Sequence, residues 1–257
     1  MSMSVDRVEI PDGWQQGRGA FGGLVLATML RAIERAESDG ARVTRTVTGD
    51  LCGPVMPGAA DVEVRTLRRG NNQSNFAATL TQGGSILAAA TAVLSPARLS
   101  DARADVPRYA PAPPPPTRPW RELPPLEVGP PLGPVFAQHY EYRSAATSPF
   151  ARTGEPLTDG FVRERVPPAR LDAPALVARL DAWWPTLFAF TGAPRPIATI
   201  SFTAQILIDP ASLPPDEPLR YRARMEALHE GFFVELRELW HGDRVVALNQ
   251  QTFAILR

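Results

Sequence analysis

The sequence predicts an α+β protein built from two copies of one unit, a helix followed by antiparallel strands. Three observations point to it. Apolar residues recur at helical spacing in two separate stretches, 20–36 and 173–190. Each stretch is followed by segments alternating apolar and polar residues at period two, with turn signals between them. With an offset of 159 residues (242 − 83), the stretch from Val62 overlies the tail from Tyr221 without gaps, turn on turn and Ala88 on Ala247.

In chain order, a short strand at 6–10 leads into glycines and the first helix, whose Leu24, Ala27, Leu30 and Ile33 make its first half apolar nearly all round. Such a helix is wrapped by other structure. Gly17, Gly19 and Gly22 spell GxGxxG, but no buried strand precedes them and no strand-helix-strand unit follows, so the reading is close packing of the helix start against a sheet rather than a dinucleotide site. Strands are expected at 43–51, 60–69, 75–82 and 85–94, the last two joined by Gly83-Gly84. Twelve of the 28 prolines fall between Pro107 and Pro134, which reads as an extended tether. The second unit then repeats the order: segments at 136–143 and 160–166, the helix at 173–190, and strands at 197–208, 219–228, 232–240 and 244–256. The expected division is 1–100, a linker at 101–135, and 136–257.

Composition narrows the function. With 27 basic and 27 acidic side chains, no bulk field favours nucleic acid or an anionic membrane. No apolar run approaches 18 residues and the start lacks a signal-peptide pattern, so no membrane span and a cytoplasmic location are expected. The lone Cys52 and the scattered His139, His229 and His241 give no metal-ligand spacing, and neither metal nor cofactor is expected. The chain has no lysine, which removes Schiff-base chemistry and a Walker lysine.

One residue breaks the pattern. Asp181 lies inside the apolar stripe formed by Val177, Leu180, Trp184, Leu187 and Phe188, and the positions three and four away hold Val177, Ala178, Trp184 and Pro185. A carboxylate there has no local partner, so it must find donors elsewhere in the fold, raise its pKa, or both. Such a group is either a structural buried acid or a catalytic one.

The order of the motifs GAFGGLVLATML at Gly19, VEVRTLRRGNNQSNF at Val62, IATISF at Ile197 and VVALNQQTFAIL at Val245 resembles the acyl-CoA thioesterase II family, whose architecture is a double hot-dog of two long helices, each wrapped by antiparallel sheet. The resemblance implies hydrolysis of an acyl-CoA or related thioester by water positioned between a helix Asp, a Thr or Ser on the next strand and a Gln on the last strand, which are here Asp181, Thr199 and Gln251. Strict alternation would put Thr199, Ser201, Thr203 and Gln205 on one face, leaving Ser201 as a rival, while Gln250 points away from Gln251. The chemistry needs only a base and oxyanion donors, because a thioester carbonyl is already electrophilic; a backbone N–H near a helix start is one such donor. CoA phosphates would meet arginines, with Arg68 and Arg69 as candidates. The first helix has no carboxylate before Glu34, so one site per chain is expected, and hot-dog sheets commonly associate into homo-oligomers. The alternative is a non-catalytic acyl or acyl-CoA binding protein on the same fold. A hydratase needs a His beside the Asp, and a serine hydrolase a GxSxG; neither is present.

Overall fold

The structure is a computed structural model that describes residues 2–98, 109, 111–146, 149–152 and 155–256. The first half comprises β1 (Met3–Ile10), a small hairpin of β2 (Gln15–Gln16) and β3 (Gly19–Ala20), α1 (Gly22–Ala36), β4 (Val43–Leu51), β5 (Gly58–Arg69), β6 (Ser74–Gln82) and β7 (Ser85–Ser95). The second comprises β8 (Tyr140–Ser144), β9 (Leu157–Glu164), α2 (Ala173–Asp181), α3 (Leu187–Phe190), β10 (Ile197–Ile206), β11 (Leu219–His229), β12 (Phe232–His241) and β13 (Arg244–Ile255).

Eleven strands form one antiparallel sheet in the order β1-β5-β6-β7-β4-β10-β13-β12-β11-β9-β8. The order is nearly a palindrome about the β4–β10 pair, where Thr48 sits opposite Thr203 with their hydroxyls 3.2 Å apart. Gly83 and Gly84 adopt φ of 59° and 78°, the left-handed pair that matches a two-residue turn to the twist of its strands, and Gly242 repeats this in the second half at 58°. α1 and α2 pack on the sheet and on each other, and one core cluster runs through both halves, from Leu26, Leu30 and Ile33 of α1 to Leu176, Val177 and Leu180 of α2. Burying each such side chain contributes roughly 1.5–3 kcal/mol. Among the described residues no helix is long and apolar enough to cross a membrane.

The structure departs from expectation in three places. The second helix does not run from 173 to 190: α2 ends at Asp181, and one further turn, α3, forms from Leu187. Pro185 explains the break, since it has no N–H for the Asp181 carbonyl and its ring would clash with that carbonyl in a continued helix. Among the described residues a long helix is therefore present only in the first half. The segment expected as a strand at 136–143 begins as a 3-10 turn at Val135–His139, so that β8 starts at Tyr140. The proline-rich stretch falls partly on residues 101–108 and 110, outside the described residues; its described part packs on the second half, with Leu123 buried and the Arg143 guanidinium 4.5 Å from the Trp120 ring centre.

Candidate active site

Asp181 is the last residue of α2 and is 8% exposed. Its partners come from two other elements. Oδ2 accepts the Gly23 N–H at 2.6 Å, and Oδ1 accepts from Gln251 Nε2 at 2.7 Å. The first contact follows from how α1 begins: Phe21 at its N-cap has no side-chain acceptor, and no acid stands in the first turn. The orphan N–H groups and the positive end of the helix dipole are instead met by a carboxylate from the neighbouring helix. Only glycine permits this approach. A Cβ on Gly23 would lie 2.9 Å from Asp181 Cβ and 3.1 Å from Ala178 Cα; one on Gly22 would lie 3.0 Å from Asp181 Oδ2. The close packing expected against a sheet is therefore shared: a Cβ on Gly22 would also lie 2.6 Å from Leu51 of β4, while Gly23 packs on α2.

Gln251 is fully buried on the inner face of β13, sharing that face with Ala247, Asn249 and Phe253, while Gln250 is exposed on the other. Val245, expected on the same face, is turned off it by a register shift at Val246 and lies opposite Trp240. Its Nε2 donates to Asp181 Oδ1 and to Thr199 Oγ1, both at 2.7 Å, which uses both amide hydrogens. Its Oε1 is buried without a hydrogen-bond partner among the described residues.

Thr199 reaches Gln251 because β10 is not regular. The register against β13 shifts between Thr199 and Ser201, so Ile200 is an extra residue in the strand. This bulge turns Thr199 to the inner side, opposite Phe253, where Phe202 and Ala204 also point. Ser201 lies across from Thr252, and Thr203 bonds Thr48 on the outer face. The shared face expected for Thr199, Ser201, Thr203 and Gln205 is therefore corrected: the bulge separates Thr199 from the other three.

Two charged residues escaped the sequence reading. Arg237 and Glu235, on the inner face of β12, are buried beside the site, with Arg237 Nη1 3.7 Å from Asp181 Oδ1. The signal was available, since Phe233, Glu235, Arg237 and Leu239 occupy one face of an alternating strand with apolar residues at both ends. Burial pushes the Asp181 pKa above the usual carboxylate range; Arg237, the Gln251 amide and the Gly23 N–H pull it back down, and Glu235 adds a smaller upward push. Arg69 is engaged elsewhere, with Glu37 at 3.4 Å and the Ala36 carbonyl at 3.0 Å, at the opposite end of α1 from Gly23, so it is not beside the site. Among the described residues no group of three or more His, Cys, Asp or Glu could hold a metal ion.

The structure thus brings Asp181, Thr199 and Gln251 into one hydrogen-bonded chain at a helix N-terminus, with a carboxylate, a hydroxyl and a backbone N–H together. Solved structures with the same fold include a hot-dog protein of unknown function from Alicyclobacillus acidocaldarius, with TM-score 0.84 and 24% identity over 100% of this chain and 96% of that one. A candidate thioesterase II from Thermobifida fusca YX gives 0.83 and 24% over 98% and 92%, and an acyl-CoA thioesterase II from Mycobacterium marinum 0.71 and 16% over 98% and 93%. These likenesses establish a hot-dog fold. A search of curated proteins gives no significant match. Residues 10–95 match the acyl-CoA thioesterase N-terminal domain and residues 103–255 the acyl-CoA thioesterase C-terminal domain, and the chain belongs to the acyl-CoA thioesterase family.

Proposed function

We propose that the protein hydrolyses an acyl-CoA or closely related thioester, with Asp181 as general base. The observation that carries this is the chain of two 2.7 Å hydrogen bonds from Asp181 Oδ1 through Gln251 Nε2 to Thr199 Oγ1. Because Thr199 Oγ1 accepts from Gln251, its own proton is free to point at water or substrate. Asp181 takes a proton from a bound water as the water oxygen attacks the thioester carbon. The resulting oxyanion is met by the Thr199 hydroxyl and by the Gly22 N–H, which opens α1 and therefore has no intrahelical acceptor. Collapse breaks the C–S bond, and the departing thiolate recovers the proton from Asp181, giving a carboxylic acid and a free thiol. Each of the two thioesterase domains corresponds to one helix-and-strand unit, and the reading assigns one site per chain, built by residues of both.

Thiol release from a panel of acyl-CoAs of different chain lengths tests the reading. Turnover on at least one member, abolished by Asp181→Asn, is the expected result; no turnover on any of them leaves a binding protein and removes the enzyme.

A further inference from the structure

Beside Asp181 lies a buried ion pair that the hydrolytic steps do not use. Arg237, 1% exposed, donates from Nε to Glu235 Oε2 at 3.0 Å and from Nη1 to the Leu180 carbonyl at 3.0 Å, while the same Nη1 lies 3.7 Å from Asp181 Oδ1. Glu235 uses its other oxygen on Thr186, accepting from the backbone N–H and from the hydroxyl, both at 2.6 Å. One line of contacts therefore spans the break in the second helix, from Leu180 and Asp181 on one side to Thr186 on the other.

Stability alone does not account for the pair. A buried ion pair stabilises a fold weakly against well-packed apolar residues. The first half supplies the comparison: Phe76 and Ala78 occupy the register positions of Glu235 and Arg237, and the same sheet forms around them. What the second half has in addition is a carboxylate at the C-terminus of its helix, the end at which the helix dipole opposes negative charge. Arg237 stands where it satisfies the Leu180 carbonyl near the end of that helix and faces the carboxylate together. From the other elements around Asp181, among the described residues, come neutral groups: the Gly23 N–H of α1, the Gln251 amide of β13 with Thr199 of β10 behind it, and the buried phenols Tyr140 and Tyr142 of β8 and Tyr221 of β11, while Glu235, beside Arg237 on β12, adds a negative charge. Among the described residues Arg237 is the cation within 4 Å of it.

We propose that Arg237 is a positioning residue that holds Asp181 ionised and aimed at the site, and that Glu235 fixes Arg237 and the Thr186 end of the break. The rate part of this rests on the hydrolase reading; the ionisation part does not. The test compares Arg237→Met, Arg237→Lys and the double variant Glu235→Gln/Arg237→Met with the parent protein, after thermal unfolding has shown which are folded. The double variant removes both charges of the Glu235–Arg237 pair, so that Asp181 is the one carboxylate deprived of Arg237, and it keeps the test available where Arg237→Met alone unfolds. The Asp181 carboxyl is titrated by 13C NMR, its signal assigned by its loss in Asp181→Asn, and kcat and KM for a thioester substrate are followed across pH.

The expected result is an Asp181 midpoint raised by about 1–3 pH units in the Met-bearing variants. The acid limb of kcat/KM moves up with it, the loss lies in kcat rather than KM, and Arg237→Lys restores most of the parental midpoint. A midpoint unchanged in the folded variants overturns the proposal, whatever happens to the rate. Absence of turnover in the parent protein would remove the hydrolase reading and leave the titration to decide the role of Arg237.

Discussion

In the first half of the sheet, Phe76, Ala78, Ala90 and Ala92 face α1; at the same register in the second half stand Glu235, Arg237, Asn249 and Gln251. All four pairs are separated by the offset of 159 residues found in the sequence (for example 251 − 92). The backbone features are duplicated as well. β4 shifts register between Thr44 and Thr46 as β10 does between Thr199 and Ser201, so Thr44 is turned inward like Thr199 and donates to Glu34 Oε1 at 2.6 Å. The helix starts differ. The second residue of α1 is Gly23, whose N–H meets Asp181, whereas the second residue of α2 is Pro174, which has no N–H, and that helix is capped by its own Asp172 at 2.7 Å. The first half thus has a hydroxyl and a half-buried acid but neither the amide nor the helix donor found in the second. One scaffold supports both an apolar and a polar inner face, and among the described residues the polar one joins a carboxylate, an amide and a hydroxyl in one hydrogen-bonded chain.

The sharpest way to break this contrast is to neutralise the acid in each half. Asp181→Asn is expected to lower kcat by about 10²–10⁴-fold, the usual contribution of a general base, while Glu34→Gln leaves it unchanged; steady-state thiol release measures both. An equal loss in both variants would mean that the halves share the work. The pH dependence carries the same sign. Because burial raises the Asp181 pKa and the base must be ionised, activity in the parent protein should fall on acidification at a pH above the ordinary carboxylate range.

A second break targets the helix start. Gly23→Ala inserts a methyl against Asp181 and Ala178, which should cost about 1–3 kcal/mol of stability in denaturant unfolding. It should also lower kcat by roughly 10²-fold through displacement of the carboxylate. Pro174→Gly, the reverse exchange in the other helix, should leave the rate as it was.

How much of this was legible in the sequence depends on the kind of signal. Asp181 stood out because a charge in an apolar stripe violates a periodicity that the rest of the helix obeys, whereas Gln251 was implied only by the family resemblance, alternation along β13 doing no more than setting it on the face opposite Gln250. Strand positions and the duplication were equally visible, as both rest on local patterns and turn residues. The bulge at Ile200 was not, since period-two reading assumes an unbroken strand and nothing in IATISF marks an extra residue. The Arg237–Glu235 pair was marked only by sharing its strand face with Phe233 and Leu239, a signal easily overridden because charged residues alternating on a strand read as a solvated face until long-range packing buries them. The gap between α2 and α3 was marked by Pro185, but its position relative to the site depends on Thr186 reaching Glu235 across the fold.

Replacing Gln251 with the residue of the first half gives a smaller expected effect. Gln251→Ala removes a donor to a charged group, worth about 1.5–3 kcal/mol, and so should slow turnover by roughly 10–100-fold. Ala92→Gln should not create activity in an Asp181→Asn background, because the Pro174 position still offers no N–H. Activity in that double variant would show that the amide alone separates the halves.

The finest distinction concerns the bulge. If Ile200 turns Thr199 inward, Thr199→Val, which keeps the branched shape and deletes the hydroxyl, removes the acceptor of Gln251 Nε2 and the free O–H facing the substrate. One ordinary hydrogen bond is worth about 0.5–1.5 kcal/mol, so kcat should fall by roughly 2–10-fold, with the thermal midpoint little changed. Ser201→Ala should leave kcat alone, since Ser201 lies beyond the bulge on the other face. Were the strand regular, both hydroxyls would sit on one side and the two variants would behave alike. Deleting Ile200 tests the same point from the backbone: because Thr199 and Ser201 already pair with the consecutive residues Phe253 and Thr252, the deletion should regularise the strand, leave Thr199 on the inner face and keep more activity than Thr199→Val; a loss as large as in Thr199→Val would mean that Ile200 is not the extra residue.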